Sequence, residues 1–451
     1  MRTKFLYYMN ISRTEIDSLN AVINMTIDRK DYEDKVITVL SDYRKKVNVP
    51  GFRKGHVPMG MIKKQYEQAV IADEVNKLLK DHLDKYIKDE KLELLGNPIP
   101  KASKDPLDWR ASKLNFEFEL GLAPKFDVKL NALKSVVKYE IEPEKKMIQE
   151  QLTHIQRQYG KLVSQNKVEK GYEITAQFKN QELELETMVN FVLDDIKSRK
   201  ALEEFKKSEK GGILTFPVKG LFKDDNTAKR LLSIDDKKLE EILKTEITIE
   251  LKEINQRILA DLNQELFDKL YKAGSVTSVK ELEEKITLSL KAQFEPQSNQ
   301  KLMNDISETI VEKTKFKLPT EFLKKWIQTS GKEPMTKEDA IKEFKKSEKA
   351  IRYQLIEGKI IAENKLNISF KELKEYAGVM VQKQMMQYGQ IPEKEKLDGI
   401  ISKIMSNQEE TRRISEQLMA EKILNFFKDK APLKTKKIAF DAFIKQAYGK
   451  A

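Results

Sequence analysis

The sequence predicts a mainly helical α+β protein that is divided into several domains. Its 451 residues exceed what one hydrophobic core usually serves, so we expect two to four domains. Before residue 257, strand-like alternation is mixed with helical spacing; after it, nearly all apolar residues recur at helical intervals of three and four. Hydrophobic residues make up 39% and charged residues 35% of the chain, which is too apolar and too periodic for wholesale disorder.

The first predicted domain, residues 1–122, is an α/β unit. Alternation predicts strands at residues 19–27 and 114–120, each with one buried face. Apolar residues at spacings of three and four predict a helix at residues 32–47 and helical structure, with or without a break, at 59–90.

The segment between the two helices, residues 50–58, contains two prolines and two glycines and is therefore predicted to be a loop. It holds an aromatic ring, Phe52, beside two cations, Arg53 and Lys54. Such a tip can insert its ring into an apolar pocket while the cations reach carboxylates or phosphates. Alternatively, it is a solvated basic turn with the ring folded back onto its own domain. Nearby cations that would broaden the positive patch are Lys45, Lys46, Lys63 and Lys64.

The run Gly51-Phe52-Arg53-Lys54-Gly55-His56-Val57-Pro58 resembles the ribosome-docking signature of the trigger factor family, Gly-Phe-Arg-x-Gly-x-x-Pro. The fixed positions fall on Gly51, Phe52, Arg53, Gly55 and Pro58. The resemblance covers roughly residues 10 to 130 and identifies 1–122 as a ribosome-binding domain. It implies that Phe52, Arg53 and Lys54 contact ribosomal protein and RNA beside the peptide exit tunnel.

A linker at residues 123–144 precedes a small middle domain at 145–256, which strand-like alternation at 170–178 and 245–254 brackets. In position and pattern this domain is similar to the family's FKBP-like prolyl isomerase domain. The family's Pro-Gly-Phe-Glu type segment is absent, and the charged run 200–210 stands there instead. Isomerisation depends on a dry, shaped pocket, so we expect a degenerate domain with weak or no activity and no catalytic residue. Its aromatic residues could be core or pocket walls: Phe178, Phe191, Phe216 and Phe222.

Residues 257–451 are predicted to be helical, with helices separated at Gly274, Pro296, Pro319 and Gly331. By resemblance they form an elongated, all-helical substrate-binding domain with arms. Segment 316–326 is similar to the start of the family's substrate-arm helix, and segment 351–368 resembles its next arm.

Three methionines, Met380, Met385 and Met386, lie close together in one predicted helix and are followed by Tyr388. Methionine is flexible and polarisable, so an exposed cluster would suit binding of many different apolar segments. Packing in a core is the alternative, because apolar stripes at helical spacing usually face an interior.

The composition argues against metal and nucleophilic catalysis. Cysteine is absent, which removes disulfides, thiolate metal sites and thiol nucleophiles, and His56, His82 and His154 are far apart. We therefore expect no metal and no cofactor. The formal charge of +12 favours anionic partners such as a ribosome, unless the lysines merely solvate helical faces.

No apolar run reaches the roughly 18 residues that a membrane-spanning helix needs, so we expect no membrane association. Arg2 and Lys4 precede an apolar stretch at 5–9 that is too short for an export signal, which predicts a cytoplasmic protein. Residues 1–8 are either a start-site extension or a short tail.

The resemblance implies an ATP-independent, ribosome-associated chaperone that shields nascent and unfolded polypeptides at the exit tunnel. A homodimer off the ribosome is suggested by the family alone. The sequence lacks the Gly-x-x-x-x-Gly-Lys-Ser/Thr motif of phosphate-binding loops. Two alternatives remain: an active prolyl isomerase acting on nascent or unfolded chains, and a nucleic-acid-binding protein, which the interleaving of basic with acidic residues disfavours.

Overall fold

A computed structural model shows a chain that splits into two compact units, each described separately below. The first unit is Met1–Val137 with Leu302–Lys434, and the second is Lys138–Lys301 with Thr435–Ala451. The predicted mixed α+β class is confirmed. No described helix is long and apolar enough to cross a membrane. The structure describes residues 11–101, 107–331, 333–387 and 393–449, so the expectation for residues 1–8 lies outside the described residues.

The N-terminal module is an antiparallel sheet, in the strand order β1-β2-β4-β3, packed against two helices. Alternate residues of β2 are fully buried, as the sequence pattern predicts for a strand with one face on a core. The predicted helical segment at 59–90 forms one unbroken helix. The elements are β1 (Ile11–Glu15), β2 (Asn20–Asp28), α1 (Glu33–Lys46), α2 (Met59–Asp89), β3 (Ile99–Pro100) and β4 (Lys113–Gly121).

The middle of the chain forms a five-stranded antiparallel sheet around the long strand β10, which pairs with β6, β7 and β9, while β8 pairs with β7. Short helices cover this sheet over a single apolar core. The predicted strands at 170–178 and 245–254 correspond to β7 and β10. The elements are β5 (Val137–Glu142), α3 (Lys145–Gln158), β6 (Lys161–Ser164), β7 (Glu173–Asn180), β8 (Leu185–Val192), α4 (Arg199–Lys207), β9 (Ile213–Pro217), α5 (Asp225–Leu232), α6 (Asp236–Ile242), β10 (Glu246–Ile258) and α7 (Gln264–Leu270).

The described part of the C-terminal region is helical except for one strand, β11, which pairs with β5. The sequence predicts an all-helical region, so this strand was not expected. Its segment is rich in lysine and mostly exposed, so it lacks the alternation by which a strand is recognised. The elements are α8 (Val279–Lys313), α9 (Thr320–Ser330), α10 (Lys337–Glu363), α11 (Phe370–Gln387), α12 (Lys394–Ser406), α13 (Gln408–Lys430), β11 (Lys434–Ala439) and α14 (Phe440–Tyr448).

The prediction that Pro296 separates two helices is wrong, because it lies inside α8. An interior proline removes one helical hydrogen bond and is normally a helix breaker. Here tertiary contacts hold the helix on both sides of it. Phe294 stacks on Phe440 with ring centroids 4.5 Å apart. The Ser298 hydroxyl donates to the carbonyl of Tyr139.

Helix α9 attaches to the N-terminal module within the first unit. Phe322 lies directly over Gly121 at the end of β4, and the Lys325 ammonium donates to the Glu119 carboxylate over 2.7 Å. Phe322 is buried with Leu318, Leu323 and Phe344 in one cluster that also includes Trp326. The first unit therefore joins segments that are distant in the sequence.

Candidate functional site

The loop at residues 47–58 joins α1 to α2 and is fixed at its base. Val57 is fully buried in the core of the N-terminal module, and Val47 and Val49 are packed against that core. Tyr43 of α1 stacks on Tyr66 of α2 with ring centroids 5.5 Å apart. Both ends of the loop are therefore held by side-chain packing, so its tip has a defined position on the module.

The tip consists of two successive β-turns, 49–52 and 53–56. In each turn the last N–H donates to the first carbonyl, over 3.1 Å in the first turn and 2.9 Å in the second. Gly51 and Gly55 occupy the third positions with φ of +88° and +84°. A Cβ at either position would meet nothing within 4 Å, so it is the left-handed backbone conformation that favours glycine there.

The predicted docking side chains are exposed at this tip. Phe52 keeps 38% of its surface accessible, and it is not among the side chains packed against the module's core. Arg53 and Lys54 are exposed and form no side-chain hydrogen bond or ion pair with any described residue. Pro58 ends the loop, where its carbonyl accepts hydrogen bonds from the first turn of α2. The ring therefore lies outside the module's core and keeps part of its surface open to solvent.

Further cations flank the tip on both helices. Lys46, Lys63 and Lys64 are exposed and have no ion pair within the described part of the chain. Lys45 differs, because its ammonium donates to the Asp42 carboxylate over 2.9 Å and thereby holds the pKa of Asp42 below its usual value. The surface thus combines a ring with several unneutralised cations, which suits an apolar pocket rimmed by carboxylates or phosphates.

One exposed apolar residue beside the tip, Met61, was not predicted from the sequence as part of the site. Met61, in the first turn of α2, has 47% of its surface accessible. Its exposure could have been predicted from its position, one residue before the buried stripe that begins at Ile62 and continues through Val70. A large apolar residue outside such a stripe is expected to face solvent.

The methionine group on α11 is divided by the structure. Met386 is 54% exposed, and Val379 on the same helix is 62% exposed. Met380 is half-buried and packs against the core shared by α11, α12 and α13, and Met385 is half-buried. Tyr388 lies outside the described residues. Both interpretations of the methionines therefore apply, each to different members of the group.

The carboxylate of Glu372 ties α11 to α13. It accepts hydrogen bonds from the Lys422 ammonium over 2.8 Å and from the Ser369 N–H and hydroxyl over 2.8 and 2.9 Å. These interactions lower the pKa of Glu372 to about 2.

On α10 a carboxyl group is shifted in the other direction, because burial raises the pKa of Glu357. Its neighbour Tyr353 also has a raised pKa, chiefly through burial.

The phenylalanines of the middle domain form its core. Each is at most 5% exposed, and neighbouring rings pack in edge-on and stacked geometries with centroids 5.6 and 6.3 Å apart. Buried rings of this kind cannot line an open pocket. The residues concerned are Phe178, Phe191, Phe216 and Phe222. Among the described residues, no three His, Asp or Glu side chains are grouped to hold a metal ion.

Comparison with known proteins gives matches over most of the chain. Residues 9–155 match the model of the bacterial trigger factor protein family. Residues 162–259 and 298–446 match the models described as the FKBP-like domain and the C-terminal domain of probable trigger factors.

Individual relatives agree with these matches. A trigger factor of a Nitratiruptor species is 25% identical over 76% of this chain and 79% of its own length. A trigger factor of Chlorobaculum parvum is 21% identical over 81% of this chain and 85% of its own length. One from Helicobacter pylori is 26% identical over 67% of this chain and 70% of its own length.

A solved structure, from work on promiscuous substrate recognition in folding and assembly by the trigger factor chaperone, superimposes with a TM-score of 0.55. The identity is 14%, and the match covers 94% of this chain and 100% of that one. At this identity the likeness concerns the fold.

Proposed function

Because the chain belongs to the trigger factor family of chaperones, we propose that it docks on the ribosome beside the peptide exit tunnel and shields nascent polypeptides without ATP. Docking uses the loop 51–58. Phe52 enters an apolar pocket on a ribosomal protein, while Arg53 and Lys54 contact carboxylates of ribosomal protein or phosphates of ribosomal RNA. The observation that carries this proposal is the exposed ring beside two cations that have no ion pair with described residues.

The remaining loop positions serve the shape of the tip. Gly51 and Gly55 allow the two tight turns, and Pro58 immediately precedes the helix that supports them. A tip whose backbone is already ordered loses little conformational entropy when it binds, so more of the contact energy appears as affinity.

Polypeptide is held by apolar side chains on the helical region, with Met380, Met385 and Met386 as candidates. Exposed Met386 and Val379 offer flexible apolar contacts that adapt to many sequences. Such contacts are weak and reversible, so release requires only that the bound segment buries its own apolar surface during folding. This agrees with the lack of a phosphate-binding loop motif in the sequence.

The docking proposal is tested by changing Phe52, Arg53 and Lys54 together to Ala and measuring co-sedimentation with ribosomes. Loss of two or more anchoring side chains is expected to weaken binding by ~100-fold or more. Circular dichroism should be unchanged, because none of the three side chains packs in a core. Ribosome binding of the wild type should also weaken as salt rises, since cationic contacts are screened.

A matched control removes the same number of charges from the same module. Lys80 and Lys88 are exposed on α2, about 30 Å or more along the helix from the loop. The variant K80A/K88A should sediment with ribosomes like the wild type. Undiminished co-sedimentation of the triple variant, or equal losses in both variants, would contradict docking through the loop.

Three further properties are proposed with this function. Because the proposed docking site is the exit tunnel, we propose that the protein is cytoplasmic. The middle domain contributes structure and has weak or no prolyl isomerase activity, because its phenylalanines are used in its core. A homodimer off the ribosome is retained from the family likeness, and sedimentation velocity at rising protein concentration measures it.

A further inference from the structure

The strand β6 forms an exposed edge of the sheet in the middle domain. Among the described strands it pairs only with β10, and all four of its residues are exposed. Leu162 and Val163 keep 51% and 38% of their surfaces accessible. Other exposed apolar side chains adjoin this edge in the sequence and in the strand pairing: Tyr159, Ile258 and Leu259.

The backbone of β6 has hydrogen-bonding groups that point outward. The Gln165 N–H donates to the Ile254 carbonyl over 2.8 Å, which makes these two residues a hydrogen-bonded pair. In an antiparallel ladder such pairs alternate along the strand. The N–H and carbonyl groups of Leu162 and Ser164 therefore point away from β10, and they bond to no described residue.

We propose that β6 binds an extended, apolar segment of unfolded polypeptide by adding it as a further strand. Backbone groups in the extended conformation are common to all sequences, so strand addition suits a protein whose partners differ in sequence. Leu162 and Val163 lie on opposite faces of the strand and would contact alternate residues of the added segment. The inference rests on the proposed chaperone function, to which it adds a second polypeptide-binding surface.

The β6 edge is only partly shielded against pairing with another strand, which also fits a partner that binds reversibly. Natural edge strands are shielded by lysines, prolines, bulges or shortness. β6 is short and carries Lys161, but it contains no proline, and its pairing with β10 shows no register shift. A four-residue edge with two outward-facing residues supports brief binding of a peptide. It is far smaller than the surface that a stable dimer of two chains requires.

The test compares two full-length variants, Ser164→Pro and Ser164→Ala. Both remove the hydroxyl, but only proline removes the outward N–H, and edge positions with a solvent-facing N–H tolerate proline. The probe is a fluorescent peptide of alternating valine and serine, whose affinity is measured by anisotropy. S164A should bind it like the wild type, and S164P about fivefold more weakly, as expected for one lost backbone hydrogen bond.

A second measurement avoids any dependence on how S164P folds. The same peptide with every backbone amide N-methylated cannot pair as a strand, so the wild type should bind it at least about fivefold more weakly. Hydrogen exchange of the wild-type protein should show added protection at Leu162 and Ser164 when the unmodified peptide is present.

The outcomes separate this inference from the proposed function. If the wild type co-sediments with ribosomes and suppresses aggregation of an unfolded protein, yet binds both peptides equally well, only the edge inference is wrong. If it does neither, the proposed function is wrong, whatever the peptides show. If S164P alters the oligomeric state and leaves peptide affinity unchanged, the edge pairs with a second copy and the inference is also wrong.

Discussion

Gly121 at the end of β4 lies so close beneath Phe322 of α9 that a single added methyl group should loosen this contact. A Cβ at position 121 would lie 2.3 Å from Cδ1 and 2.7 Å from Cε1 of the ring, well inside van der Waals contact. The ring is 4% exposed and surrounded by its own cluster, so it cannot move aside without opening other contacts. Overpacking of this kind costs about 1 to 3 kcal/mol, and we expect that loss of stability for G121A.

The magnitude can be checked by a double-mutant cycle. F322A alone should cost about 3 to 5 kcal/mol, because it removes a buried aromatic side chain. It also removes the atoms that a methyl group at position 121 would strike. In the F322A background, G121A should therefore cost close to nothing, which gives a coupling energy of about 1 to 3 kcal/mol between the two positions.

The assay uses the fluorescence of Trp326, which lies in the same cluster as Phe322. The chain has two tryptophans, so W109F leaves Trp326 as the sole indole. Urea titrations of the four cycle variants then report the midpoint at which this cluster opens. G358A is the control, since a Cβ at that helical position meets nothing within 4 Å. A wild-type midpoint for G121A, or an equal G121A effect in both backgrounds, would refute the reasoning.

Three other outcomes are expected. Since the pKa of Glu372 is lowered to about 2 from 4.5, its charge stabilises the fold above pH 4.5, and this contribution is lost as pH falls through about 2. E372Q should lower the melting temperature at neutral pH and match the wild type near pH 2; a pH-independent difference would contradict this. Burial raises the pKa of Glu357, so its contribution to stability is lost as pH rises from 4.5 through the raised pKa. E357Q should make the urea midpoint less sensitive to pH in that window, and an unchanged slope would count against it. In a proline-peptide isomerisation assay, the full chain should give little or no rate enhancement, and a clear acceleration would show that the middle domain retains a working pocket.

The loop illustrates how much of the site the sequence could predict. Its prolines and glycines are local signals, so the turn and its tip were predictable from residues 50–58 alone. Whether Phe52 faces solvent was not, because that depends on Val57 and its neighbours occupying the core instead. The same limit applied to the methionines on α11, where burial differs between Met380 and Met386 according to which residue faces α12 and α13.

Strands and helices with regular apolar spacing were predicted well, as in β2 and α2, because burial on one face imposes that spacing. Failures occurred where distant contacts decide the structure. Pro296 is tolerated because side chains on both sides of it are held by other elements. The strand β11 depends on pairing with β5, and β6 is too short to show a period.

The joint between α9 and β4 has a consequence for how the protein itself is made. Lys325 and its partner Glu119 are 206 residues apart in the chain. At ordinary rates of synthesis, roughly 10 to 40 s separate their emergence. During that interval the sheet and helices that carry Phe52 have only their own core to hold them, without the contact that later covers Gly121. A newly started copy is thus for a time an incomplete protein in which the apolar surface beside Gly121 is bare.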